Sequence, residues 1–301
     1  MLSSLKNIFK NTLALFYLKL GFVQLAKYYI RSNNHILSIY FHNPTYINFS
    51  NCINWLKEND FNFISVNDLI DIKNGTLTQP NNAVIITVDD GWEANFDNII
   101  PVASLHNVPI TIFVTTDPVE NGGGFWWSYV KEMSNYSKNM LNVSTLKNII
   151  NSDRFKYLNQ IKKSIIISRQ ALTLEKLKSI ATNELITIGS HTITHPILPN
   201  CSDVEASTEI IDSKKILENW IHQKVVSFSY PNGDYSNREV NLLFKAGYEI
   251  GFSTVPSYVS KQHLNEMFTL PRFEVLDDTS LNENICRMTG VWYRYTFKNL
   301  I

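Results

Sequence analysis

The sequence is poor in the residues that build disulfide scaffolds, collagens and disordered chains. Cysteine occurs three times in 301 residues, at Cys52, Cys201 and Cys286, with no Cys-x-x-Cys pair. This number and spacing exclude a disulfide framework and a zinc ribbon, and they fit a reducing compartment. Glycine occurs 11 times and proline 10 times, which excludes a collagen-like chain. With 44% hydrophobic and 18% charged residues, the chain is expected to fold around a large core.

Acidic residues are absent from the first 57 positions, where six lysine and arginine residues give a charge of +6. The whole chain has 27 basic and 27 acidic residues, so no overall basic charge favours binding to nucleic acid. Long hydrophobic runs are absent too, because Lys19 interrupts the most apolar stretch before it reaches the ~20 residues of a membrane span. A secretory signal peptide is disfavoured because no small-residue cleavage site follows.

These features predict a basic amphipathic helix over residues 1–34, ahead of a domain over residues 35–301. Such a helix can bind an anionic membrane surface, so we expect peripheral membrane contact through residues 1–30. The alternative is a basic helix that packs on the rest of the fold. The expected location is the cytoplasm or the membrane periphery rather than the outside of the cell.

Short apolar runs alternate with helical patterns along the chain. Several runs are almost entirely apolar, as expected of strands that are buried on both faces. This alternation predicts a single α/β domain with a parallel sheet, in which function lies at the carboxyl ends of the strands. Residues 128–170 contain no clear strand and are predicted to form a helical insertion. The candidate strands span residues 36–41, 83–88, 110–115, 185–189, 225–229, 249–253 and 267–273.

Two adjacent carboxylates, Asp89 and Asp90, follow the candidate strand at 83–88 and precede Gly91. Neighbouring strand residues point to opposite faces, so both carboxylates share a site only where the chain bends, which glycine permits. Their proximity would split their pKa values unless a cation, such as a metal ion, neutralises one of them. The alternative is a pair of acids that cap the following helix.

Two histidines four residues apart, His191 and His195, follow the candidate strand at 185–189. On a helical turn, side chains at i and i+4 project to one side, where two imidazoles can bind one divalent ion. With one carboxylate they would form an open metal site with room for water and substrate. Taken alone, a histidine pair is a weak signal for metal and more often has a structural role, but the Asp-Asp-Gly segment at another strand end strengthens the metal interpretation.

A third strand end carries the segment SYPNG at residues 229–233. Proline and glycine shape a tight turn, and such a turn can aim a backbone N–H at an oxyanion. Taken alone, the segment is also explained by an ordinary loop.

The segments TVDDGW, HTITH and SYPNG, in this order, resemble the polysaccharide deacetylase domain, also called the NodB-homology domain or carbohydrate esterase family four. The family pattern is T-F-D-D-G, then H-[ST]-x-x-H, then R-x-P-[YFN]-G, and the resemblance covers residues 35–275. It implies a distorted, TIM-like (β/α) barrel, usually of seven strands. It also implies metal-dependent removal of acetyl groups from N-acetyl sugars.

The resemblance implies roles for individual residues as well. Asp90, His191 and His195 would hold a divalent metal, with zinc expected and cobalt or nickel as alternatives. Asp89 would act as the general base for the attacking water. The backbone N–H of Asn232 would face the tetrahedral oxyanion.

Two positions depart from the family pattern. Ser229 replaces the arginine that begins the third motif and pairs with the base, and Arg272, in the segment LPRF, is expected to take over that pairing. The usual carboxyl-terminal Leu-x-His with the general acid is absent, since the last histidine is His263. Circularly permuted relatives carry this histidine before the Asp-Asp-Gly strand, and the similar segment YFHNP predicts His42 as the general acid. A structural histidine at a strand end is the alternative.

The sequence therefore predicts a metal-dependent hydrolase that removes acetyl groups from an N-acetylated saccharide or glycan precursor, with cell-envelope glycan as the expected setting. Hydrolysis of O-acetyl esters is a second interpretation, because no residue separates amide from ester. A barrel that binds glycan without catalysis is a third, because fold does not fix function. Four aromatic residues near the motifs are candidates for stacking on sugar rings or for core packing: Trp92, Phe125, Trp126 and Trp127.

Overall fold

The computed structural model describes residues 2–136 and 140–295. Its strands are β1 Leu37–Phe41, β2 Asn62–Ile64, β3 Ala83–Val88, β4 Ile110–Val114, β5 Ile186–Ser190, β6 Ser227–Ser229, β7 Ile250–Phe252 and β8 Phe273–Glu274. They form one parallel sheet in the order β7-β6-β5-β4-β3-β1-β8, and β2 pairs with β3 outside that path.

Helices precede, connect and cover the strands. Several begin at a serine whose hydroxyl accepts from the third helical N–H while an acid in the first turn caps the serine in return, as at Ser65 and Ser202. The helices are α1 Leu2–Lys19, α2 Phe22–Ser32, α3 Tyr46–Glu58, α4 Val66–Asn74, α5 Asn95–Asn98, α6 Ile100–His106, α7 Thr116–Asn121, α8 Trp126–Ser134, α9 Val143–Lys147, α10 Asn151–Ser164, α11 Leu174–Ala181, α12 Asp203–Ile221, α13 Asn237–Lys245, α14 Leu281–Met288 and α15 Val291–Tyr295.

The predicted α/β barrel is confirmed, with seven parallel strands in one continuous order. The segment after β7 joins the two edges of this sheet, because Leu270 bridges Phe252 of β7 and Phe273 then pairs with Ile39 of β1. The strand expected over residues 267–273 shares only Phe273 with the observed β8, Phe273–Glu274. Strand β2 was not predicted, since only one of its three residues is buried and no apolar run marks it.

Buried strands make the sheet a rigid support. Every residue of β1, β3 and β4 is buried, and each fully buried aliphatic side chain contributes about 1.5–3 kcal/mol relative to exposure. Residues that immediately follow these strands are consequently held in fixed positions. The cysteines Cys52, Cys201 and Cys286 are free and buried.

The basic amino-terminal stretch differs from the single helix expected over residues 1–34. It forms α1 and α2, which are separated at Gly21, where the backbone adopts a left-handed φ of 78°. The α2 helix buries Val23, Ala26 and Ile30, and α1 packs against α14. Among the described residues, no helix has the length and apolar character that crossing a membrane requires.

The expected insertion, 128–170, corresponds to α8, α9 and α10, which span residues 126–164 and which we call the insertion helices. They build a small core of their own beside the main one. Two of their side chains extend from it to the barrel, since Trp126 Nε1 and Arg154 Nη1 both donate to the carbonyl of His195. The core residues are Trp126, Tyr129, Val130, Leu146, Leu158 and Ile161.

Candidate active site

The two carboxylates after β3 share one pocket because the chain bends directly after the strand. Asp90 and Gly91 have φ values of 76° and 78°, a left-handed region that glycine adopts freely and other residues adopt uncommonly. A Cβ on Gly91 would also lie 3.3 Å from the Val114 side chain. The bend leaves Asp89 and Asp90 on the wall of the same pocket, and each is 3% exposed.

His191 and His195 follow β5 on a loop. The helical turn suggested by their spacing was therefore wrong. Thr192 and His195 adopt left-handed φ values of 69° and 55°, and this path brings the two imidazole centroids to 4.8 Å. Glu209 of α12 holds the loop, because its carboxylate accepts from two successive loop N–H groups at 2.8 and 2.9 Å. The imidazoles thus meet through loop geometry rather than helical periodicity.

Asp90, His191 and His195 lie together after the carboxyl ends of β3 and β5. The Nε2 atoms of the two histidines are 3.5 and 3.4 Å from Asp90 Oδ1, and one ligand atom from each residue lies within 4.8 Å of the others. Asp90 Oδ2 accepts from Trp92 Nε1 at 2.9 Å, whereas the buried Oδ1 accepts a hydrogen bond from no described residue. A buried carboxylate oxygen without a donor, faced by two imidazole nitrogens, fits a divalent cation.

The pKa shifts of His195 and Asp90 favour metal binding, whereas the pKa shift of His191 opposes it. Burial lowers the pKa of His195 to about 3, assisted by the neighbouring His191, so the ring is neutral near pH 7, as a ligand must be. Burial alone would raise the pKa of Asp90, but His191 and His42 hold it well below the ordinary value. Burial also opposes protonation of His191, yet the Asp90 and Asp89 carboxylates raise its pKa, so a proton competes with a metal there.

A backbone contact orients the His191 ring. Its Nδ1 atom lies 2.7 Å from the carbonyl oxygen of Ser229. A carbonyl acceptor favours the tautomer with hydrogen on Nδ1, and this leaves Nε2 available as a ligand.

The Asp89 carboxylate is paired on both oxygens. Arg272 Nη1 and Nη2 donate to them at 2.8 Å each, and the Ser229 hydroxyl donates to Oδ2 at 3.2 Å. The guanidinium also donates to Thr87 Oγ1 and to the Ser253 carbonyl, and it is fully buried. Burial raises the pKa of Asp89, but the Arg272 charge outweighs it and the net pKa is lowered. Asp89 is therefore ionised at neutral pH.

Ser229 belongs to this network even though it replaces the arginine of the family pattern. Its hydroxyl accepts from Arg272 Nη2 at 2.8 Å. Arg272 comes from the segment before β8, 183 positions after Asp89, and makes the pairing with Asp89 that was expected of it. The contribution of the Ser229 hydroxyl was not predicted from sequence, although a small polar residue at an arginine position was the available signal.

His42 and Asn232 lie on two further parts of the pocket wall. Side chains alternate along β1, so Tyr40 and His42 face the pocket while Phe41 is fully buried in the core. The backbone N–H that follows His42 donates to Asp277 Oδ2 at 3.1 Å, which anchors the strand end. Asn232 adopts a left-handed φ of 60° in the turn after β6.

The four aromatic candidates divide into two groups. Trp92 and Trp127 line the pocket, and the Trp127 ring centroid lies 4.6 Å from that of His195. Phe125 and Trp126 are buried and do not line it. Phe125 stacks on Trp127 at 4.8 Å, so it supports a pocket wall instead of forming one.

The pocket has a volume of about 370 Å³, which suits one sugar unit. Three charged residues on its wall had no signal in the sequence: Lys131 and Lys147, from the insertion helices, and Glu274, from β8. Neither lysine is part of a motif, and the fold alone brings them to the barrel.

The fold and the site together define an α/β barrel with a candidate metal centre beside an ion-paired carboxylate. The sequence profile of the polysaccharide deacetylase family matches residues 76–251, which is more than half of the chain. The chain therefore belongs to the polysaccharide deacetylase family, as its motifs predicted.

Two relatives show how far the sequence similarity extends. YxkH of Bacillus subtilis (strain 168), provisionally named a polysaccharide deacetylase, is 25% identical over 221 residues, which are 73% of this chain and 61% of that protein. A peptidoglycan-N-acetylglucosamine deacetylase of Bacillus cereus (strain ATCC 14579) is 37% identical over 68 residues, 23% of this chain and 30% of that protein. The chain thus spans less than two thirds of the length of either relative.

Solved structures share the fold. The Streptococcus pyogenes deacetylase PplD, solved in complex with acetate, has a TM-score of 0.63 at 18% identity and covers 85% of this chain and 98% of its own. The polysaccharide deacetylase BC0361 from Bacillus cereus has a TM-score of 0.60 at 18% identity, with 85% and 69% covered. At such identity, the likeness establishes the fold alone.

Proposed function

We propose that this protein is a metal-dependent hydrolase that removes acetyl groups from an N-acetylated saccharide or glycan. The observation that carries the proposal is the presence, in one pocket, of the Asp90–His191–His195 group and the ion-paired Asp89 carboxylate. Family membership supports deacetylation, and the name of one relative specifies N-acetylglucosamine of peptidoglycan.

Asp90, His191 and His195 would hold a divalent metal, with zinc as the expected ion and cobalt or nickel as alternatives. Two imidazoles and one carboxylate leave coordination positions open for water and substrate. When bound, such an ion lowers the pKa of water and polarises a carbonyl group. The donor-free Asp90 Oδ1 and the neutral His195 ring support this assignment.

Asp89 is the proposed general base. Arg272 and Ser229 fix its position, and its low pKa keeps it ionised. It takes a proton from the attacking water as the water oxygen bonds to the acetyl carbonyl carbon. The proposed donor to the resulting oxyanion is the backbone N–H of Asn232 in its left-handed turn.

His42 is the proposed general acid. It gives a proton to the sugar nitrogen as the carbon–nitrogen bond breaks, so that acetate and a free amine are the products. Its place on the pocket wall, at the end of β1, supports this role.

Two other functions use the same residues. O-acetyl ester hydrolysis differs only in its leaving group, an alcohol that needs less help from an acid. Binding of glycan without catalysis needs neither a base nor an acid. A buried ion pair rarely improves stability over apolar packing, so the Asp89–Arg272 pair favours a chemical role.

Acetate release from a panel of N- and O-acetylated sugars, with and without zinc or cobalt, tests the proposal. Asp89→Asn should lower the rate by about 10²–10⁴ and leave the metal content unchanged. The matched control is Asp153→Asn, an exposed carboxylate on α10, which should retain the wild-type rate. Release in Asp89→Asn at the wild-type rate contradicts the base assignment, and release from O-acetyl sugars alone favours the ester hydrolase.

We also propose that α1 and α2 contact an anionic membrane surface. Both helices expose large apolar side chains: Phe9 and Phe16 on α1, at 64% and 53%, and Leu25 and Tyr28 on α2, at 58% and 72%. The first 57 residues carry six basic and no acidic side chains, a charge that complements anionic headgroups. Exposed apolar residues among basic ones are typical of helices that lie in a membrane interface.

Flotation with phosphatidylglycerol vesicles tests this contact. The double variant Phe9→Ser, Phe16→Ser should lose most vesicle binding. Phe244→Ser on α13, which removes an aromatic ring that is even more exposed, at 72%, should bind as the wild type does. Equal flotation of all three proteins, or equal binding to uncharged phosphatidylcholine vesicles, contradicts the proposal.

A further inference from the structure

The insertion helices add positive charge to the pocket that holds the candidate metal group. Lys131 of α8 and Lys147, the last residue of α9, both line it together with Asp90 and the two histidines. The pocket motifs lie on the barrel, whereas these lysines belong to the separate packing unit formed by α8–α10. The insertion therefore adds two ammonium groups to the cavity that holds the candidate metal group.

These two lysines differ in their partners from two other lysines of the insertion helices, Lys156 and Lys162. Lys156 pairs with Asp153 at 3.4 Å and Lys162 with Asp117 at 3.8 Å. Neither Lys131 nor Lys147 forms an ion pair with a carboxylate in the described part of the chain. The contact made by Lys147 is a neutral one, in which its Nζ donates to the side-chain oxygen of Asn232. Both ammonium groups thus remain electrostatically available.

With a divalent ion bound, the balance of charge in the pocket would favour an anion. The Asp89 charge is neutralised by Arg272, and a divalent ion at Asp90 would more than neutralise that carboxylate. Glu274 is then the remaining acid on the wall, against Lys131 and Lys147. Because the chain as a whole has zero net charge, the positive excess that a bound ion would create here is local, and a concave site focuses such a field.

We propose that the substrate is an acetylated saccharide that carries a negatively charged group, a phosphate ester or a carboxylate, and that Lys131 and Lys147 bind this group. The inference deepens the proposed deacetylase function and rests on it. The pocket volume of about 370 Å³ accommodates one sugar ring with its charged substituent. The charged group would determine which sugar of a glycan is presented to Asp89.

Binding measurements test the inference independently of turnover. The probes are N-acetylglucosamine 1-phosphate, N-acetylmuramic acid and neutral N-acetylglucosamine, titrated into full-length zinc-loaded Asp89→Asn protein. We expect roughly 10- to 100-fold tighter binding of one charged probe than of the neutral one, with the advantage reduced at high salt. The phosphate and carboxylate probes distinguish the two sources of charge.

The double variant Lys131→Met, Lys147→Met should abolish that advantage and leave the affinity for the neutral probe unchanged. Lys156→Met with Lys163→Met removes the same charge from exposed positions of α10 and should retain the advantage. A phosphate that merely coordinated zinc would bind equally well to both double variants. Lys147→Arg, which keeps the positive charge, should retain part of the preference for the charged probe.

Equal affinity for charged and neutral probes overturns the inference. So does a lysine double variant that weakens all three probes equally, because Lys147 would then act only by holding the Asn232 turn. The proposed deacetylase function fails separately, if no acetylated sugar releases acetate although a charged probe binds in a lysine-dependent way.

Discussion

Asp89 and Asp90 are adjacent in sequence and equally buried, at 3% exposure each, yet their surroundings are opposite. Asp89 has both oxygens paired by Arg272 at 2.8 Å. Asp90 has one oxygen bonded to Trp92, while the other faces two imidazoles without a hydrogen-bond donor. Arg272 supplies the counter-charge for Asp89, and we propose that a bound metal ion supplies it for Asp90.

Removing Arg272 breaks its ion pair with Asp89 and should have the largest effect on stability. Arg272→Met leaves the buried Asp89 carboxylate without its cation, so the free energy of unfolding should fall by about 3–5 kcal/mol. Urea unfolding of the metal-free protein measures the change. Combining Arg272→Met with Asp89→Asn should recover part of the loss, because the unpaired charge is gone. Wild-type stability of Arg272→Met would show that the pair is not needed for folding.

Zinc binding at Asp90 should stabilise the protein by a smaller amount than the loss of Arg272 destabilises it. Zinc at 100 times its dissociation constant should raise the free energy of unfolding by about 2.7 kcal/mol. Urea unfolding after chelation, with and without added zinc, measures the increment. Asp90→Ala should show no increment, whereas Asp153→Ala, at an exposed site on α10, should show the full one. An increment that survives in Asp90→Ala would place the ion elsewhere.

The smallest effects are expected from two neighbouring tryptophans, Trp127 at the pocket wall and Trp126 behind the metal loop. Trp127→Ala removes a pocket wall and should raise KM by roughly 2- to 10-fold. Trp126→Phe removes one of the two donors to the His195 carbonyl and should weaken zinc affinity by a similar factor while leaving KM unchanged. Steady-state kinetics and zinc titration of both variants check this. The opposite pattern would mean that Trp126 contacts the sugar and Trp127 supports the metal loop.

The parts of the fold that sequence predicted are those in which local pattern and tertiary position agree. The apolar run of β3 ends at Asp89 and Asp90, and that of β5 ends at His191, so parallel strand ends were enough to bring the motifs together. The two imidazoles meet for a different reason from the expected one. Left-handed residues in the loop, which spacing does not reveal, replace a helical turn.

Other parts depended on contacts between distant segments. Lys131 and Lys147 have no motif around them, and only the packing of α8–α10 brings them to the pocket. Strand β2 is short and half exposed, so periodicity gave no signal for it. The break between α1 and α2 follows from the left-handed backbone at Gly21, one residue within a strongly helical pattern.

Bound zinc and acetate release, measured together in Asp89→Asn and Asp90→Asn, distinguish the two sides of the bend most directly. Asp89→Asn should retain zinc at the wild-type ratio and lose about 10²–10⁴ in rate. Asp90→Asn should lose both zinc and activity, because the donor-free oxygen no longer carries a negative charge. Loss of zinc from Asp89→Asn, or wild-type zinc content and activity in Asp90→Asn, would contradict the division of roles between these two carboxylates.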